Sequence, residues 1–190
     1  MPDEATLIET DGGLEPEGEG WFVVNVRETT WWQNDAFGSS CPFEGNEDEK
    51  RRKTNAADAR FQEYGINIHV VWPGQPNCMY HGEEAQEDFL ILSGECVLLV
   101  EGEERHLKAW DFVHFPPWTE HVVVGAGSEP CAILMVGTRR KGHGIRYPVA
   151  EVAQKHGASV EQETTQPSEA YARFPQWRRA TLDDAGLPWQ

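Results

Sequence analysis

Between Ile66 and Val136 the chain is a succession of short β-branched and aromatic runs punctuated by glycine, proline and acidic turns. The runs are Ile66 to Trp72, Asp88 to Leu92, Cys96 to Val100, Glu104 to Lys108, Asp111 to Phe115, His121 to Val124 and Ala132 to Val136. Seven short strands at roughly eight-to-ten-residue spacing leave few architectures open, and they predict an antiparallel sandwich or barrel. The turn residues agree. Pro73-Gly74 closes the first strand, Ser93-Gly94 the second, and Glu101-Gly102-Glu103 reads as a tight hairpin between the third and fourth.

Around this block the texture is different. A chain of 190 residues has room for one domain with elaborations at both ends. Residues 1–20 carry seven acids and no Lys or Arg, which predicts a solvated, flexible acidic arm. Residues 21–64 read as an N-terminal strand and loop extension. Trp21 to Val26 has strand composition, and Cys41 to Asp58 is a loop holding the mixed-charge run Glu47 to Lys53, a solvated segment. The barrel is assigned to 65–140. Residues 141–190 form a helical and irregular extension. Pro148 to His156 is a helix candidate, with proline in its first turn, Val149, Val152 and Ala153 on one face, and Gly157 at the C′ position. Ser168 to Phe174 is a second, capped by Ser168. Trp177, Leu182, Leu187 and Trp189 carry enough apolar bulk to pack on the barrel or on a second subunit.

Formal net charge is −16, from 16 basic and 32 acidic residues, so nucleic acid and anionic membranes are poor partners. Cys41, Cys78, Cys96 and Cys131 show no Cys-x-x-Cys spacing and read as free, mostly buried thiols of a reducing compartment. No apolar run approaches a membrane span and no secretory leader is visible, so a cytoplasmic location is expected.

Chemistry concentrates at His81, Glu83, Glu87 and, downstream, His121. Side chains two apart in a strand point the same way, so His81 and Glu83 share a side, as do Glu87, Phe89 and Ile91. Two imidazoles with carboxylates suit Fe(II), Mn(II), Zn(II), Ni(II) or Co(II). Glu83 and Glu87 close together in an apolar barrel repel, and a divalent ion neutralises both; otherwise one is protonated or points away. Met79 shares phase with His81 and, with Phe89 and Trp118, is a candidate wall of the pocket. His114 lies between the inward Val113 and Phe115 and so faces out, while His69 reads as a structural histidine and His106 and His143 as exposed. Arg139 and Arg140, just past the last strand, read first as surface residues and second as receivers of an anionic ligand.

Residues 74–125 resemble the cupin superfamily. Its first motif runs Gly, five residues, His-x-His, three or four residues, Glu, six residues, Gly; here His81-x-Glu83, three residues, Glu87, six residues and Gly94 follow that frame. Its second, Gly-(x)5-Pro-x-Gly-x-x-His-(x)3-Asn, is met by Trp110, Pro116, Trp118, His121 and Gly125. The departures are Glu83 in place of a histidine, Trp110 and Trp118 in place of glycines, and Gly125 in place of the asparagine. Gly74 also stands one residue further from His81 than usual, so an alternative register sets Tyr80 and Gly82 in the His-x-His slots. The resemblance implies an all-β fold, a single double-stranded β-helix or jelly-roll barrel with an N-terminal arm and short C-terminal helices. It implies His81, Glu87 and His121 as metal ligands, with Glu83 as a fourth ligand or a general base, around one divalent ion. A carboxylate-rich set favours Fe, Mn or Zn, with Ni or Co also open. By the same resemblance the chain is expected to form a homodimer and to bind a small molecule, either as a metal-dependent enzyme of the dioxygenase, isomerase or lyase type or as a non-catalytic binding or sensing barrel, including one whose degenerate site holds no metal.

Overall fold

The structure, a computed structural model, describes residues 3–18, 20–43, 61, 63–139 and 144–181. All seven runs of the central block are strands: β5 (Tyr64–Val71), β7 (Glu87–Ser93), β8 (Glu95–Val100), β9 (Glu103–Lys108), β10 (Phe112–Phe115), β11 (His121–Ala126) and β12 (Cys131–Thr138). Before them come β1 (Thr6–Thr10), β2 (Gly13–Glu17), β3 (Trp31–Asn34) and β4 (Gly38–Pro42); the two-residue β6 (Gly82–Glu83) lies between β5 and β7. After them come β13 (Ile145–Arg146), α1 (Glu151–Gln154), α2 (Pro167–Ala170) and β14 (Arg178–Ala180). One antiparallel sheet has the order β10-β7-β12-β5-β4-β3-β14 and a second the order β11-β8-β9. The strand rhythm predicts an antiparallel sandwich or barrel, and the fold is the all-β jelly-roll barrel that the cupin resemblance implies.

The core between the sheets is built by alternation. Val71, Phe89, Ile91, Cys96, Leu98, Phe115, Val123, Cys131, Ile133 and Met135 form its central cluster. The opposite phase of β5 and β12 buries Ile68, Val70 and Ala132 with Trp31 and Cys41 on the other face of the large sheet. The hairpin between β8 and β9 turns on Glu101 and Gly102, with φ of 48° and 80°, the paired positive values of a type I′ turn. All four cysteines are free.

The extensions depart from the expectations. Residues 6–17, read as a flexible acidic arm, pair as the hairpin β1–β2. Its backbone docks on the next segment, Leu14 N donating to Glu28 O at 2.7 Å and Thr30 N to Leu14 O at 3.3 Å. Two of its acids meet a distant cation: Arg179 lies 2.9 Å from Asp11 and 3.7 Å from the buried Glu15. The arm looks solvated only while its counter-ion, far along the chain, is left out. Among the described residues Trp21 to Val26, read as a strand, makes one bridge, Trp21 to Glu4; the paired strands are β3 and β4, and β14 adds to β3 from the other end of the chain.

The helices are shorter than expected. In α1 the N-cap is Ala150, and the turn ends at Gly157 with φ of 69°. Val149 stays exposed while Ala153 is buried, because the helix starts two residues after Val149. In α2 the cap is Gln166, not Ser168, and Pro167 takes the first helical turn. A residue preceding proline is held extended, which sets the boundary there. Segment 150–158 lies on the outer face of the small sheet with Tyr80, Val97, Leu99, Val122 and Val124. Trp177 packs edge-on to His69, ring centroids 6.0 Å apart. The run Glu47 to Lys53, Arg140, His143, Leu182, Leu187 and Trp189 lie outside the described residues. No helix among the described residues is long and apolar enough to cross a membrane.

Candidate metal centre

His81 immediately precedes β6 and His121 opens β11. The two residues exchange both backbone hydrogen bonds, His121 N to His81 O at 2.8 Å and His81 N to His121 O at 3.2 Å. Directly opposed residues of an antiparallel pair project to one face. Glu87 opens β7 on the inner face of the other sheet, opposite Gly137. A Cβ on Gly137 would lie 3.5 Å from Glu87 Cγ, an ordinary van der Waals contact across the pair. One ligand atom each from His81, Glu87 and His121 lies within 4.8 Å of the others, a group that could hold a metal ion.

Both imidazoles are fixed in the same tautomer. His81 Nδ1 lies 2.8 Å from the Met79 carbonyl and His121 Nδ1 lies 2.9 Å from the Thr119 carbonyl. A carbonyl only accepts, so each Nδ1 carries the proton and each Nε2 presents a lone pair. His121 Nε2 is buried with no hydrogen-bond partner among the described residues, 3.2 Å from Glu87 Oε2. Donor atoms about 2.0–2.2 Å from a common ion stand about 3–3.5 Å apart, so that separation and donor chemistry fit a divalent ion. Phe115 stacks on the His121 ring, centroids 3.9 Å apart at 11°, and Phe89 meets it edge-on at 5.6 Å. Burial, and then His121, pull the His81 imidazole down to about 4, against the opposing pull of Glu87 and the Met79 carbonyl. His81 is therefore neutral at pH 7, as ligation requires.

The remaining sequence candidates fall as follows. Glu83 stands outside the group of three; it pairs with Ile145 in β13, and its carbonyl accepts from Trp118 N at 2.7 Å. Its charge raises the Cys78 thiol, secondary to burial and Glu87, so it lies close to the site. Tyr80 is buried on the opposite side, its hydroxyl accepting from Gly102 N at 3.1 Å, which sets the motif register on His81. Phe89 stands against His121. Met79 is fully buried, but its side chain packs with Phe37, Tyr147, Val160 and Ala170, and it serves the site through its carbonyl. Trp118 is half exposed at the rim, beside Gly144, Ile145, Arg146 and Thr165. His114 is exposed and pairs with Asp88 at 2.6 Å. His69 Nε2 lies 2.6 Å from the Phe37 carbonyl, a structural role.

Two neighbours were not foreseen. Tyr147 brings its ring to 5.8 Å from that of His81, and Tyr171 stands 5.8 Å from Tyr147 with its hydroxyl accepting from Met79 N at 3.2 Å. Burial raises both phenols. They arrive through the pairing of β13 with β6 and the turn after α2, and nothing in the local sequence of either announces it.

An antiparallel jelly roll with two histidines and a glutamate converging at one end defines a small barrel built around a candidate metal centre. Residues 67–137, which span the barrel strands, match the family model described as Cupin domain. Similar solved structures include a putative sugar phosphate isomerase from Acidithiobacillus ferrooxidans, 21% identical over 69% of this chain and 76% of that one, TM-score 0.45. A polyketide cyclase from Streptomyces resistomycificus is 13% identical over 63% of this chain and 80% of that one, TM-score 0.48. A sugar phosphate isomerase of the cupin superfamily from Silicibacter pomeroyi is 19% identical over 66% and 71%, TM-score 0.44. No curated protein matches the chain.

Proposed function

We propose that this protein is a metal-dependent enzyme acting on a small organic substrate inside the barrel, of the dioxygenase, isomerase or lyase type. The observation that carries the reading is the pair of locked imidazoles: both Nδ1–H groups are spent on carbonyls, and both rings belong to one group with the Glu87 carboxylate. His81, Glu87 and His121 would hold one divalent ion, Fe, Mn or Zn by the hardness of the set. Bound there, the ion would supply Lewis-acid polarisation of a substrate oxygen. Glu83, beside the group but outside it, is the candidate general base. Phe89 and Phe115 hold the His121 ring and exclude water from its inner side. By the family resemblance the working form is a homodimer in the cytoplasm.

The test is elemental analysis of the purified protein, followed by His121→Ala. The reading expects about one equivalent of a transition metal in the wild type and loss of both metal and turnover in the variant. A wild type that binds no Fe, Mn or Zn under any condition overturns it. A small molecule that stabilises the metal-loaded protein without being consumed would instead establish a binding or sensing barrel.

A further inference from the structure

Met79 supplies the carbonyl that fixes the His81 ring, and Met79 is itself held by residues far along the chain. The peptide joining Met79 to Tyr80 accepts from His81 Nδ1–H through its C=O at 2.8 Å, and its N–H donates to Ala158 O, also at 2.8 Å. In the preceding peptide, Met79 N donates to the Tyr171 hydroxyl at 3.2 Å. The Met79 side chain is fully buried with Phe37, Tyr147, Val160 and Ala170. Ala158 follows Gly157, whose φ of 69° ends α1, and its own N–H rests on Ala153 O at 3.0 Å. Tyr171 closes the turn of α2, its N–H on Pro167 O at 3.0 Å, and its ring meets those of Phe37 and Tyr147 edge-on at 5.3 and 5.8 Å. Ala158 and Tyr171 both lie beyond residues 67–137, in the C-terminal extension.

His121 is held differently. Its carbonyl partner, Thr119 O, belongs to a turn of its own loop, in which Thr119 N and Thr119 Oγ1 donate to Pro116 O at 3.2 and 2.8 Å. One imidazole is oriented locally and the other through the C-terminal extension. If the Met79 carbonyl turns away, the neighbour left to His81 Nδ1 is Cys78 Sγ at 3.7 Å, a weak acceptor. An imidazole without a fixed partner at one nitrogen populates both tautomers, and a ligating ring loses metal affinity when that partner goes.

We propose that Tyr171 is a positioning residue for His81: its hydroxyl, together with the Ala158 carbonyl, sets the Met79 peptides so that the Met79 carbonyl meets His81 Nδ1 and the ring stands in its group with Glu87 and His121. The consequence for metal affinity rests on the metal-dependent reading. The orientation of His81 does not.

The experiment compares full-length wild type with Tyr171→Phe, which keeps the ring and removes the hydroxyl, both metal-free at neutral pH and carrying isotope-labelled histidine. Nitrogen–proton correlation spectra of the imidazoles read the tautomer of each ring, with His81→Asn and His121→Ala giving the assignments. In the wild type both rings should be in the Nδ1–H form. In Tyr171→Phe the His81 signals should move to a mixture of tautomers while those of His121 stay, and chelator competition should show Zn(II) bound about 10-fold more weakly. Unchanged His81 signals overturn the proposal, whatever the Zn(II) affinity. So does a change of His81 and His121 together, which would mean a general loosening of the barrel. A His81 change with Zn(II) affinity unchanged overturns the link to the metal centre. Should Tyr171→Phe not fold, hydrogen exchange of the wild type carries the test: the Met79 and Tyr80 amides should exchange at least about 100-fold more slowly than exposed loop amides, and fast exchange at Met79 overturns the proposal. A wild type that binds no metal ends the enzymatic reading and leaves the tautomer result standing.

Discussion

His81 and His121 are opposed residues of an antiparallel bridge, and each turns its Nδ1–H back to the carbonyl two residues earlier, Met79 and Thr119. The same local device is used twice, once on each side of one hydrogen-bonded pair. The backbone therefore sets the spacing of the two rings, 5.1 Å between centroids, and the two carbonyls set which nitrogen each presents. Glu87 comes from the other sheet and completes the group.

The carboxylate is the part of the group that can be altered without touching this bridge. Glu87→Gln should keep the fold and the ring orientations but remove the charge that draws a cation to His121 Nε2. We expect competition with a chromogenic chelator to show metal binding by the wild type and none at micromolar metal for the variant. Unchanged affinity would show that Glu87 is no ligand.

Phe115 is 2% exposed and lies flat on His121. Phe115→Ala should cost about 3–5 kcal/mol in urea denaturation of the metal-free protein, as for other buried aromatics. Phe115→Leu should cost less but still loosen metal binding, because a branched side chain cannot stack on an imidazole. A Leu variant with wild-type metal affinity would mean that stacking does not position the ring.

Acid should destabilise the metal-free protein through His81. Its imidazole sits at about 4 in the folded chain against an ordinary 6.5. The unfolded chain thus takes up a proton between those values while the folded chain does not. This contribution is complete above about pH 6.5, falls as the pH drops, and is gone below about pH 4, at most about 3 kcal/mol in all. Denaturation of wild type and His81→Asn at pH 4, 5, 6 and 7 isolates it as the difference in slope. Parallel curves would count against it.

Trp110 and Trp118 hold φ of 75° and 71°, in the left-handed region that favours glycine, and both stand where the cupin motif has a glycine. For a residue with a Cβ this region costs about 1–2 kcal/mol. Trp110 is 76% exposed and recovers little of that by packing, whereas Trp118 sets its indole against Gly144. Trp110→Gly should therefore raise stability by up to about 1 kcal/mol, and Trp118→Gly should be neutral or destabilising. Thermal melts of the two variants, compared with wild type, check the order.

The barrel was legible because its signals are local. Strand alternation, the Pro73-Gly74 and Glu101-Gly102 turns and the spacing of His81, Glu87 and Gly94 depend on neighbours within a few residues, and each survives in the structure. Alternation also turned Phe115 inward and His114 outward, as observed.

What the tertiary structure alone decided is the meeting of distant segments. The β1–β2 hairpin is tied to the other end of the chain through Arg179, and Tyr147 reaches His81 because β13 pairs with the short β6. Glu83 shares a strand phase with His81 yet stands outside the group of three. Periodicity tells which side of a strand a residue is on. Which strand lies beside it, and what that neighbour leaves room for, depends on pairings between residues far apart in the chain, whose cost and gain no local window contains.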